Sequence, residues 1–259
     1  METARREAAV TAAEVEALAR LIEDATGRPA PAEVPFASPL LLFSRLDAAR
    51  RDALFGVGPG RTLVQEQLSI EGGRRIVPDA ATTVESRVHE PASPATPWRI
   101  EVGLLDAAGG TIAEVRTAMR AVASESLAAA QGPAAGRAAE GVRRTTRPLS
   151  RDLVERWVRL VGDDNPIHVD AAHAAALGLP GPVVPGALLV ALVEGVVEPA
   201  LGGRLIRLNA RFTAPVPVGV AIEVEIRERP ASGAAARRDA RLLFVAGERV
   251  AAVADLSVA

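Results

Sequence analysis

The chain repeats itself, and the repeat constrains the fold more than any other feature of the sequence. "TAAEVEALARLIEDATGRP" begins at Thr11 and "SRDLVERWVRLVGDDNPIH" at Ser150, an offset of 139 residues. Both segments open on a hydroxyl residue suited to an N-cap. Apolar groups then recur at i, i+3, i+4 and i+7: Val15, Leu18, Ala19 and Ile22 in the first copy, Val154, Trp157, Val158 and Val161 in the second. That spacing places one apolar stripe on each of two amphipathic helices. The parallel continues downstream. Residues 37–55 and 185–201 both read as long helices, and Leu188, Leu189, Leu192, Val193, Val196 and Val197 make the second one buried along most of its length.

Strand-like segments follow each long helix. "TLVQEQLSIEGG" and "AATTVESRVHE" correspond to "RLIRLNARFTA" and "AIEVEIRER". Each copy closes on two alternating runs around a Gly-containing turn, the pattern of a β-hairpin. Each half therefore reads as a short helix, a long buried helix and about four antiparallel strands. A sheet wrapping a central helix is the simplest way to bury that helix. The α+β architecture expected is two tandem units: residues 1–123, a small-residue linker at 124–141, and residues 142–259.

Composition narrows the function. The chain of 259 residues is 49% hydrophobic and 24% charged, with a formal net charge of −2. That balance argues against nucleic acid or an anionic membrane as partner. There is no cysteine, which excludes disulfides, thiolate metal sites and cysteine nucleophiles. The N-terminus lacks an apolar signal core, and the longest apolar stretch, 186–201, is interrupted by Glu194, Glu198 and Pro199. It is too short to span a bilayer. A cytoplasmic location is the expectation.

The three histidines are scarce enough to weigh one by one. His168 ends "GDDNPIH", five residues after Asp163. Gly162 lets the chain leave the helix and Pro166 prevents it from resuming. Asn165 can bond loop backbone. The loop can then bring Asp163 and His168 together as a general acid–base pair. Downstream, prolines precede Gly186 at the start of the buried helix, where backbone N–H groups have no internal acceptor. Gly186 is thus a candidate oxyanion donor. His173, in an Ala-rich turn, and His89, at a strand end, read as structural or surface residues; nothing gives metal-ligand spacing. Trp157 reads as core, Asp164 as a loop acid and Asp170 as the cap of the next helix. Arg143, Arg144, Arg207, Arg211, Arg237 and Arg238 are weak candidates for phosphate contacts.

Residues 162–168 and the following "AAALGLPGPVVPGALL" resemble the MaoC-like, (R)-specific enoyl-CoA hydratase family of hot-dog proteins. That family's signature is Gly-Asp-x-Asn-Pro-(aliphatic)-His, and every fixed position is present here. The resemblance implies a double hot-dog whose C-terminal unit carries the chemistry. It makes Asp163 and His168 the catalytic pair, Asn165 a support for the loop, and Gly186 the oxyanion donor. It implies reversible hydration of trans-2-enoyl thioesters, or dehydration of (R)-3-hydroxyacyl thioesters, with no metal and no cofactor beyond the coenzyme A or carrier-protein pantetheine of the substrate. A dehydratase working on acyl carrier protein and a non-catalytic acyl-thioester binder are the alternatives. The assembly implied is a monomeric pseudo-dimer or a homodimer. Two departures stand out. Pro185 replaces the histidine usual before the glycine. In the first copy Asp24 aligns with Asp163 but Pro29 aligns with His168, so one active site is expected rather than two.

Overall fold

The computed structural model describes residues 2–29, 33–43, 61–72, 74–93, 96–123, 127, 129–130, 132–136, 141–229 and 237–259. In chain order the first half comprises β1 (Glu2–Ala8), α1 (Ala12–Thr26), α2 (Leu40–Phe43), β2 (Arg61–Glu71), β3 (Thr82–His89), β4 (Trp98–Leu105) and β5 (Thr111–Ala123). The second half comprises β6 (Val142–Thr145), α3 (Arg151–Val161), a 3-10 turn (Pro166–His168) and α4 (Ala171–Ala176). It continues with α5 (Gly186–Ala191), α6 (Val193–Leu201), β7 (Leu205–Phe212), β8 (Glu223–Arg229), β9 (Arg238–Ala246) and β10 (Arg249–Val258).

Capping explains where the paired helices begin and end. Thr11 Oγ1 accepts from Glu14 N–H, and the Glu14 carboxylate accepts from Thr11 N–H, a full capping box. Ser150 Oγ accepts from Leu153 N–H. Both helices stop on a glycine in the left-handed region, Gly27 at φ 67° and Gly162 at φ 70°. The offset between those caps is 135 residues rather than 139, because α1 has 15 residues and α3 has 11. One extra turn of helix therefore shifts the alignment. Arg28, not Asp24, follows the first cap, as Asp163 follows the second. Asp24 lies within α1, where its Oδ2 accepts from Arg156 of α3 at 2.8 Å.

The ten strands among the described residues join one antiparallel sheet in the order β1-β3-β4-β5-β2-β7-β10-β9-β8-β6. The order is a palindrome: each half contributes the same sequence of five strands, outward from β2 and β7. These two meet from Gln67 opposite Arg211 to Glu71 opposite Arg207. Among the described residues the halves thus have five strands each rather than about four. The additional strands, β1 and β6, are the outer edges. "ETARREA" and "VRRT" carry almost no apolar alternation, since an edge strand rich in charge is protected against pairing with another chain.

The helices cover one face of the sheet. Leu188, Leu189, Val193, Val196 and Val197 of α5 and α6 are at most 3% exposed. The segment expected as one helix is broken at Leu192, so α5 and α6 follow each other as two pieces. Helix α1 crosses α6 at Gly195, where a β-carbon would stand 2.7 Å from Ile22 Cγ2. The Ile22 and Thr26 side chains of α1 pack directly on the Gly195 backbone, so a larger residue there would have to displace them. Glu194, buried, accepts from Arg75 at 2.9 Å and from Phe36 N–H at 2.6 Å, tying two loops of the first half to the second half's helix. Of the helix expected at 37–55, residues 40–43 are α2; residues 44–55 lie outside the described residues. The expected linker is partly docked. Leu127 is 8% exposed and packs with Ile167, Ala174, Leu177, Leu179 and Val183, and Ala134 pairs with Arg249. No helix among the described residues is long and apolar enough to cross a membrane.

Candidate active site

The loop after α3 is built by short-range hydrogen bonds that its sequence dictates. Asp163 N–H reaches back to Val158 O at 3.0 Å, closing the helix end across Gly162. Asp163 Oδ1 then accepts from Asn165 N–H at 3.1 Å, an Asx turn. Asn165 Oδ1 accepts from Ile167 N–H at 3.3 Å and caps the 3-10 turn, whose first residue is Pro166. Asp170 caps α4 through Ala172 and His173 N–H. Those amides, His173 first and then Ala172, hold the Asp170 carboxyl below the usual carboxylate range.

The turn is clipped to the segment that leads into α5. Val183 N–H donates to Ile167 O at 3.1 Å, and Val183 O lies 2.7 Å from His168 Nδ1. A carbonyl can only accept, so Nδ1 carries the proton and a neutral His168 keeps its lone pair on Nε2. Nε2 stands 3.6 Å from Asp163 Oδ2; the side chains are 12% and 26% exposed. That separation is too long for a direct hydrogen bond, and a water molecule can donate to both atoms.

Three residues further along the same segment is Gly186. Its N–H has no acceptor among the described residues. A β-carbon on it would fall 2.8 Å from Phe212 Cζ and 3.1 Å from Gln65 Oε1, so a larger residue would have to displace both side chains. Asp163, Asn165, His168 and Gly186 all line one cavity of about 750 Å³.

The cavity belongs to both halves, which the motif alone does not announce. Asn165 Nδ2 donates to Leu63 O of β2 at 3.3 Å, across 102 residues of chain. Gln65, two residues on, also lines the cavity. Its Nε2 donates to Thr117 Oγ1 at 3.0 Å, and that hydroxyl donates to Gln67 O at 2.8 Å. The single hydroxyl proton is thus spent on Gln67, which fixes the amide with Oε1 toward Gly186. A register irregularity follows Gln65 on β2; bulges re-aim side chains in this way, and no sequence pattern marks one here.

Trp157 and His89 fall as expected, and other residues do not. His173 lines the cavity, as does Trp157, which is also core at 1% exposure. His89 sits on the sheet 3.7 Å from Glu101 and away from the cavity. None of the six arginines considered for phosphate lines it; Arg143 faces Glu223 and Glu225, and Arg237 faces Asp239. Arg6 and Arg61 line it instead, on strands whose inward faces were not legible.

Residues 134–237 match the family model described as the MaoC-like domain. The match lies mainly in the second half of the chain and contains the loop from Gly162 to His168. The match begins inside the segment expected as a linker, at the residue that pairs with Arg249. A stretch of 42 residues, 16% of this chain, is 45% identical to the 3-oxo-4,17-pregnadiene-20-carboxyl-CoA hydratase alpha subunit of Mycobacterium tuberculosis, and spans 14% of that subunit. Among solved structures, one described as a MaoC-like dehydratase superposes over 99% of this chain and 97% of its own, with a TM-score of 0.75 and 19% identity. A conserved hypothetical protein of M. tuberculosis described as having a double hot-dog fold superposes over 99% of this chain and 95% of its own, with a TM-score of 0.62 and 13% identity. These likenesses establish a hot-dog fold.

Proposed function

We propose that the protein is a double hot-dog hydro-lyase that reversibly hydrates trans-2-enoyl thioesters of coenzyme A. One observation carries the reading: His168, its Nδ1 committed to Val183 O, presents Nε2 to Asp163 Oδ2 at 3.6 Å on the wall of a largely apolar cavity. The family match of the second half supports it.

In hydration, a water held by Asp163 and His168 gives a proton to the pair as its oxygen bonds to the β-carbon. The π electrons move toward the thioester oxygen, where Gly186 N–H stabilises the developing charge. The pair then returns a proton to the α-carbon, so that one water has been added and no electron has left the substrate. Dehydration of the (R)-3-hydroxyacyl thioester is the reverse. Neither direction needs a redox group, and coenzyme A enters only as part of the substrate. Asn165 positions the pair through Leu63 O. Residues 142–259 form the catalytic unit and residues 1–123 the degenerate one, which lacks the histidine and lends its sheet to the acyl chain. A cytoplasmic enzyme with this single site accords with the sequence.

The test is hydration of crotonyl-CoA by wild type and His168→Ala. A loss of about 10²–10⁴-fold in the variant is expected. Equal turnover by the two proteins, or none by either across chain lengths and carriers, overturns the reading.

A further inference from the structure

The cavity does not end near the dyad. It continues across the inner face of the first half's sheet, from β2 to β1, four inter-strand spacings or about 19 Å. Met119, Ile100, Val88, Val84, Leu40 and Phe43 make this stretch apolar, which suits an alkyl segment and not the amides of pantetheine. At its far side the character changes. Arg6 of β1 lines the cavity and lies directly opposite Val84, which is 1% exposed and faces the core. Opposite residues share a face, so Arg6 leaves β1 on the cavity side, at a solvent-exposed position on its rim. Its neighbour Arg5 points outward and meets Glu85 at 3.7 Å; Arg6 has no ion-pair partner among the described residues. Ser86, diagonal to Arg6 across the β1–β3 pair, is 7% exposed and lines the same cavity. Its hydroxyl has no hydrogen-bond partner among the described residues.

We propose that Arg6 and Ser86 form a tail-recognition site for acyl thioesters whose far end carries a carboxylate. The inference rests on the hydratase reading above and names its substrate class. The guanidinium supplies charge and donors for a carboxylate. The hydroxyl supplies a further donor, and the apolar wall between it and the dyad sets the chain length.

The experiment compares kcat/KM for crotonyl-CoA and for trans-2-enoyl-CoA series of increasing length, ending in a methyl or in a carboxylate. Wild type, Arg6→Gln, Arg6→Lys and Ser86→Ala are assayed. Wild type is expected to prefer the carboxylate by about fivefold or more at one length, as for a partly solvated charge pair. Arg6→Gln abolishes the preference, Arg6→Lys keeps most of it, Ser86→Ala reduces it, and all four hydrate crotonyl-CoA alike. Absence of any preference in wild type overturns the proposal. So does an equal loss in Arg6→Gln on every CoA ester with none on pantetheine esters, which would place a CoA phosphate at Arg6. An unchanged preference with new self-association in Arg6→Gln also overturns it, leaving the charge as protection of the sheet edge. If wild type does not hydrate crotonyl-CoA, the reaction is wrong. Calorimetric binding of saturated thioesters with methyl or carboxylate ends then decides the tail site separately.

Discussion

His168 gives its Nδ1 proton to Val183 O at 2.7 Å while Val183 gives its N–H to Ile167 O at 3.1 Å. This two-point clip sets the tautomer of the histidine. It also fixes the distance between the histidine and Gly186, three residues beyond Val183. The acid–base pair and the amide facing it are therefore held by one stretch of backbone.

Asp163→Asn keeps an oxygen to accept from Asn165 N–H, so the turn survives while the charge is lost. Turnover of crotonyl-CoA should fall by about 10²–10⁴-fold with an unchanged melting temperature. Unchanged turnover in a normally folded variant removes Asp163 from the chemistry.

Gly186→Ala retains the amide but drives a β-carbon to 2.8 Å from Phe212 Cζ. Overpacking of this kind costs about 1–3 kcal/mol, and a displaced donor can cost about 10²-fold in rate. Kinetics and thermal melting of the variant, read together, check this. Wild-type kcat/KM would mean that the ring and Gln65 yield freely.

Leu127→Ala probes whether the segment between the halves is passive. Leu127 belongs to the same buried apolar cluster as Ile167 and Val183, the two residues that carry the clip. A loss of about 2–5 kcal/mol is expected for a buried leucine, measured by denaturant unfolding, together with slower turnover. A change under about 0.5 kcal/mol, typical of a surface site, would make the segment a tether only.

Acid stability should report the Asp255 ion pair. Arg241 donates to both carboxylate oxygens at 2.8 Å, and this pairing first, with Arg229 and Arg211 adding to it, holds the Asp255 carboxyl below its ordinary value. A depressed folded-state pKa contributes stability above the unfolded value of about 3.9 and loses it as pH falls through the folded value. Asp255→Asn should therefore lose less stability than wild type below about pH 4. Parallel acid-unfolding curves would show that the pair contributes nothing.

Much of this molecule was legible because local burial leaves a local pattern. The 3.6-residue stripes of α1 and α3, the hydroxyl caps at Thr11 and Ser150, and the glycine stop at Gly162 were readable, since each is decided within a few residues of chain. The motif from Gly162 to His168 was readable for the same reason. Its Asx turn, proline stop and capping asparagine bond mainly to one another. Where the evidence for an element lay in its neighbours, the reading failed. Strands β1 and β6 have few apolar residues of their own and exist because β3 and β8 offer open edges. The extra turn of α1, which moved Asp24 out of register, is visible only from its cap.

By itself, then, the sequence determined two similar halves, where their paired helices start, and one loop able to place a carboxylate beside a histidine. The tertiary structure alone decided that Asn165 anchors that loop on Leu63 of the other half, that Gln65 faces Gly186, and that the cavity runs on to Arg6. These are contacts between elements a hundred or more residues apart. They arise from β2 pairing with β7 into one continuous sheet, and no periodicity within either strand encodes which partner it will meet.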